Sequence, residues 1–222
     1  MNTLRWFGNV LASSVGRKVV MALTGLLLVG FLVAHLAGNL TLFADSDGAA
    51  FNDYAQKLQD LGPILLVMEL GLVALFGIHV FLAIRLTLEN RDARTAKYAV
   101  RSGRGAKTMA SASMPVTGVI VLAFLIKHLI DFRFDGAFHE DGAATVAAKM
   151  ADPLNAVLYL VAFGVLGLHL SHGVQSALQS LGANHPRYTP LVKNISIGLG
   201  VILALGFAAI PLYYLFLGGA NG

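Results

Sequence analysis

Apolar side chains run almost without interruption through five stretches of the chain, approximately 19–42, 63–88, 110–132, 153–180 and 193–217. Each is near or beyond the roughly 20 residues that a helix needs to cross about 30 Å of hydrocarbon. Polar and charged residues collect between them. The pattern predicts an all-α membrane protein, five transmembrane helices in one bundle, as a single domain over 1–222. Pro63 and Pro153 stand at the starts of the second and fourth stretches, where a missing N–H costs little, and Gly182 and Pro186 follow the fourth. Pro115 predicts a small kink or a later start in the third. Ahead of the first, Leu4, Phe7, Leu11 and Val15 recur at helical spacing, so 1–18 reads as an interfacial segment with Trp6 at the headgroup level. The run from Val19 is too long for a signal peptide and lacks a convincing cleavage site, so it reads as a first membrane helix. No internal repeat or low-complexity segment stands out.

Charge sets the orientation. Three Lys or Arg precede the first stretch, seven lie in the 85–107 connection and two in 180–193, whereas the opposite side has only Lys57, Arg133 and Lys149. That bias predicts an N-terminus in the cytoplasm and a C-terminus outside, and the expected location is the cytoplasmic membrane of a prokaryote. The outer connections are correspondingly acidic. Hydrophobic residues make up 56% of the chain and charged residues 13%, which excludes an ordinary soluble domain. No cysteine is present, which excludes a disulfide framework, a thiolate-held iron–sulfur cluster, c-type haem attachment and a cysteine nucleophile. Any metal must hang on histidine or carboxylate.

An imidazole in hydrocarbon is costly and wants a partner. At 1.5 Å per residue, His35 and His128 fall roughly 6–9 Å inside the outer boundary, and His79 and His172 roughly 9–12 Å from the inner one. Four helices thus supply four histidines at two depths. Bis-imidazole ligation of two stacked b haems, their irons on the order of 10–15 Å apart, accounts for every position. Thr24, Leu28, Phe31 and Gly38 share the His35 stripe. His169 lies one turn before His172, and spacing alone does not choose between them. His139 and His185 fall in connections and read as solvated.

The chain resembles the five-helix, di-haem cytochrome b membrane anchors of succinate dehydrogenases and fumarate reductases, the single-anchor b558 type. The resemblance rests on Ser14-Val15-Gly16-Arg17-Lys18 leading into Met21-Ala22-Leu23-Thr24-Gly25, then Ala34-His35-Leu36-Ala37-Gly38-Asn39-Leu40, Phe51-Asn52-Asp53-Tyr54, Gly77-Ile78-His79 and Ser171-His172-Gly173-Val174-Gln175-Ser176, with a looser match at Thr117-Gly118 and from Phe124 to His128. It implies that His79 and His172 hold a proximal haem and His35 and His128 a distal one. Because the fourth ligand of that family is followed by glycine, it favours His172 over His169. It further implies a cytoplasmic iron–sulfur subunit and a flavoprotein as partners, which carry the clusters, the FAD and the dicarboxylate chemistry, and membrane quinone, expected to be menaquinone, as the electron acceptor or donor.

Quinone chemistry moves protons, so Glu69, the one carboxylate well inside a stretch, is the first candidate for proton transfer, and Asn39 a weaker quinone-site candidate. Arg17, Lys18 and Arg85 at the inner face, and Lys127 and Arg133 at the outer, are candidates for haem propionates. Competing readings are a di-haem anchor of a formate, hydrogen or nitrate enzyme, and a transporter that uses histidines as metal or proton ligands.

Overall fold

The computed structural model describes residues 13–92 and 109–217, with side chains in the second part from 113 onward. Residues 1–12 of the interfacial segment expected at 1–18, and the part of the basic connection at 93–108, lie outside the described residues, while 14–18 begin α1. The helices are α1 Ser14–Asn39, α2 Ala49–Gln59, α3 Pro63–Asp92, α4 Met109–His128, α5 Gly136–Glu140, α6 Gly142–Ala151, α7 Pro153–Ser180 and α8 Thr189–Phe216. A 3-10 turn, Leu40–Phe43, extends α1, and a π-helical turn, Leu129–Arg133, extends α4. Five helices, α1, α3, α4, α7 and α8, are long and apolar enough to cross a membrane. They are the five spans read from the sequence.

Local chemistry sets the ends. The Ser13 hydroxyl accepts from Gly16 N at 3.0 Å, so α1 begins several residues before its apolar run. Asp152 accepts from Leu154 N at 3.2 Å, with Pro153 in the first turn of α7, and Gly182 at φ +105° takes the chain away from its end. α3 runs past residue 88 to Asp92, and Glu89 there accepts from Arg85 on its own helix and Arg17 on α1, both at 3.1 Å. α4 passes through Pro115 without ending.

α7 is the hub. Its stripe of Ala156, Tyr159, Phe163, Leu166, Leu170, Val174 and Ala177 is buried at three- and four-residue spacing. α1, α4 and α8 all pack on α7, α1 also packs on α3, and α4 touches α3. α1, α7, α4 and α3 therefore form a ring in which α1 faces α4 across one diagonal and α3 faces α7 across the other. α8 lies outside the ring against α7. The outward side chains, Leu66, Val67, Leu70 and Val73 of α3 among them, are apolar, as contact with lipid demands.

The acidic connections are more structured than their composition suggests. The Asn52 amide donates to Asp141 and its carbonyl accepts from Ala143 N, each at 2.9 Å, tying α2 to the start of α6. Phe51 and Phe138 meet edge to face with centroids 6.3 Å apart. Gly48 starts α2 at φ +76°, and a Cβ there would lie 2.4 Å from that of Ala143, so both backbone and space require glycine. Together α2, α5 and α6 form a cap.

Candidate functional site

At the end of the ring nearer the cap, α1 and α4 bring the rings of His35 and His128 together across their diagonal. The ring centroids are 5.8 Å apart and the planes are nearly perpendicular at 87°. Two imidazoles bound on opposite sides of one metal, with bonds of roughly 2 Å, have centres about 6 Å apart. The separation fits. Phe31 stacks on His35 at 5.3 Å, and Phe124 and Phe132 flank His128 at 5.9 and 5.2 Å. His128 Nδ1 is buried with no hydrogen-bond partner, an unusual state for a ring nitrogen. The Asn39 amide donates to the His35 carbonyl at 2.8 Å and lies 3.4 Å from its ring, holding the end of α1.

The second group lies three helical turns away. His79 of α3 has its Nδ1 3.3 Å from the Thr24 hydroxyl of α1. His169 of α7 has its Nδ1 3.1 Å from the Thr117 hydroxyl of α4. His172 makes a different contact: its Nδ1 is 3.0 Å from the Leu168 carbonyl one turn back. The Leu168 side chain is 58% exposed, and His172, four residues on, shares its helix face.

Glu69 and Arg133 bind each other through two hydrogen bonds of 3.0 Å, linking α3 to the end of α4. Asp131 is buried, accepting from Lys127 and, at 2.7 Å, from the Tyr159 hydroxyl. Arg17 and Arg85 share Glu89, while Lys18 is exposed. Arg17, Arg85, Lys127 and Arg133, read from the sequence as cations for propionates, are thus each matched with a carboxylate. Sequence reasoning missed those carboxylates although the Arg85/Glu89 and Lys127/Asp131 spacings of four were readable. It also missed the roles of Thr24 and Thr117 beside the imidazoles.

Among the described residues no three or more His, Asp or Glu side chains gather as a metal cluster. A bare ion such as zinc asks for three or four protein ligands, whereas haem brings its own equatorial nitrogens and asks the protein only for axial ones. Imidazoles arriving in diagonal pairs suit the second case.

Comparison with curated proteins and with solved structures gives no significant match. A family model described as "Succinate dehydrogenase/Fumarate reductase transmembrane subunit" matches residues 90–210. That match covers more than half of the chain and takes in α4 to α8 nearly entire, with His128, His169 and His172. The chain belongs to the family of succinate dehydrogenase/fumarate reductase transmembrane subunits.

Proposed function

We propose that this multi-pass membrane subunit is a di-haem cytochrome b that links a cytoplasmic iron–sulfur subunit to membrane quinone. The observation that carries the reading is the pair His35 and His128, set 5.8 Å apart across the ring with aromatic side chains on either side. His35 and His128 hold the outer haem by this reading, and His79 with an imidazole of α7 holds the inner one. Bound there, the two groups supply one-electron carriers between the partner subunits, which hold the iron–sulfur clusters and FAD, and a quinone such as menaquinone.

The chain's own residues orient and shield. Phe31, Phe124, Phe132 and Phe207 exclude water around the outer imidazoles, which keeps the site in a low dielectric. Asn39 fixes the last turn that carries His35. Glu69 is the proton-carrying candidate for quinone chemistry at the same level, and Arg133 holds it in place; delivering a proton requires that pair to open. The basic bias of the inner connections supports an N-terminus and a docking face on the cytoplasmic side.

The test is functional. In membranes carrying the chain with its flavoprotein and iron–sulfur partners, succinate is expected to reduce a b-type absorbance that added quinone then reoxidises. Succinate oxidation that leaves the chain's spectrum untouched would refute the electron-transfer role.

A further inference from the structure

Resting on the haem reading above, we propose that Thr24 and Thr117 are paired positioning residues for the inner haem, fixing His79 and His169 as its axial imidazoles and leaving His172 outside the site.

The argument begins with protons. The Thr24 hydroxyl has one, and it is engaged with the backbone carbonyls of Val20 and Met21 at 2.9 and 3.1 Å. With that proton on the carbonyls, we assign the oxygen as acceptor toward His79 and the hydrogen to Nδ1. Thr117 repeats the arrangement. Its proton is engaged with the carbonyls of Ser113 and Met114 at 3.2 and 3.1 Å, and its oxygen accepts from His169 Nδ1. Both hydroxyls are buried, at 6% and 8% exposure, so water does not compete for them. In each neutral imidazole this leaves the lone pair on Nε2, the nitrogen that can bind iron, while the other is anchored on a neighbouring helix.

Glycine follows threonine in both places. A Cβ on Gly25 would lie 3.2 Å from His79 Cε1, and one on Gly118 would lie 3.6 Å from His169 Cε1. Each Thr-Gly step thus seats the edge of an imidazole. Spacing then ties the two levels together: Thr24 precedes His35 by eleven residues, and Thr117 precedes His128 by eleven. Eleven residues make three turns with about 20° of drift, so hydroxyl and imidazole share one helix face roughly 16 Å apart. α1 and α4, facing each other across the ring, therefore carry the same device. Each supplies an outer ligand itself and steadies an inner ligand of its neighbour.

This assigns His169. The Nδ1 of His172 is also occupied, by the Leu168 carbonyl, so tautomer alone does not separate the two. Direction does. His169 reaches across to the Thr117 hydroxyl of α4, whereas Nδ1 of His172 bonds back to its own helix, one turn after the exposed Leu168.

The experiment uses the full-length chain purified from membranes, with haem b per chain from the pyridine haemochrome, a redox titration, and low-temperature EPR of the low-spin signals. Variants are Thr24→Val, Thr117→Val, the serine versions of both, His169→Gly and His172→Ala. A hydroxyl that accepts from Nδ1–H makes the ligand more electron-rich and favours oxidised iron, so each valine variant should shift the inner haem's reduction equilibrium about fivefold toward the reduced form. The outer haem should not move, and each serine should restore the original value. His169→Gly should lose one haem and regain it with added imidazole; His172→Ala should keep both. An inner potential unchanged in either valine variant, or loss of the inner haem in His172→Ala but not in His169→Gly, overturns the proposal. A wild-type chain without haem instead overturns the cytochrome reading on which it rests.

Discussion

Replacing Gly200 with alanine tests how closely α8 is locked to the helix that carries His169. A Cβ at Gly200 would stand 2.5 Å from Ser171 Oγ, 2.6 Å from the Gly167 carbonyl and 3.2 Å from Ser171 N. Two of these are backbone atoms. The hydroxyl has no easy escape either, since it donates to the Gly167 carbonyl at 2.7 Å. Restoring an ordinary contact near 3.5 Å requires the helices to part by about 1 Å, which forfeits a quarter to a half of each dispersion contact it opens. The buried face at stake includes Ser196, Leu203 and Phe207 of α8 and Leu166 and Leu170 of α7. Overpacking of this kind costs about 1–3 kcal/mol, with the upper part of the range expected where backbone is the obstacle, against a gain of up to about 1 kcal/mol in helix propensity. The net expectation is a loss of about 1–2 kcal/mol. Gly198, on the same helix, is the control: nothing lies within 4 Å of its Cβ position, so Gly198→Ala should be neutral or stabilising. Thermal or denaturant unfolding in detergent, followed by circular dichroism, measures both. A Gly200→Ala chain as stable as Gly198→Ala would refute the close-approach argument.

Tyr159→Phe removes the 2.7 Å hydrogen bond to Asp131 and should cost about 1.5–3 kcal/mol in the same unfolding assay, because the acceptor is a buried carboxylate; no loss would mean that Lys127 alone satisfies it. In the cap, the Lys149 amine first and the Ala137 N–H second hold the Asp135 carboxyl below its ordinary 3.8, and the N–H of Ala144 followed by the Asn52 amide does the same for Asp141. Both folded values are depressed, so their stabilisation is complete above the ordinary aspartate range and is lost as pH falls through the folded values. The melting midpoint should therefore stay level on acidification until that range is reached and then drop, less steeply in Asp135→Asn; a drop beginning near neutrality would contradict this. Glu69→Gln breaks a half-exposed ion pair and should cost no more than about 1 kcal/mol while slowing quinone turnover, which stopped-flow reoxidation would measure. Unchanged turnover would remove Glu69 from the quinone site.

The five spans were legible because hydrocarbon imposes a length and an apolar content that few other structures need, and Pro153 with Asp152 marked one boundary to the residue. That His35 and His128 fall at one level of the bundle was legible for the same reason, since rise per residue is fixed. The cap was not. Ala49–Gln59 and Gly142–Ala151 are short, and their order comes from Asn52 reaching a segment some ninety positions away, which no local pattern records. The partners of the basic residues were half legible: Glu89 and Asp131 stand four residues from Arg85 and Lys127, but the pairing of Glu69 with Arg133 needs α3 and α4 side by side. Thr24 and Thr117 look like ordinary buried threonines until the neighbouring helices bring histidines to them. The direction of His169 against His172 is likewise a property of the bundle, because the two stand on adjoining faces of one helix.

The most direct measurement is the dithionite-reduced minus oxidised spectrum of the purified chain, with haem b counted per chain, in the wild type, in His35→Ala and in His79→Ala. The two-level arrangement leads us to expect about two haems in the wild type and one in each variant, with different bands surviving. An intact, folded chain that is colourless, or one in which both variants lose the same haem, would contradict it.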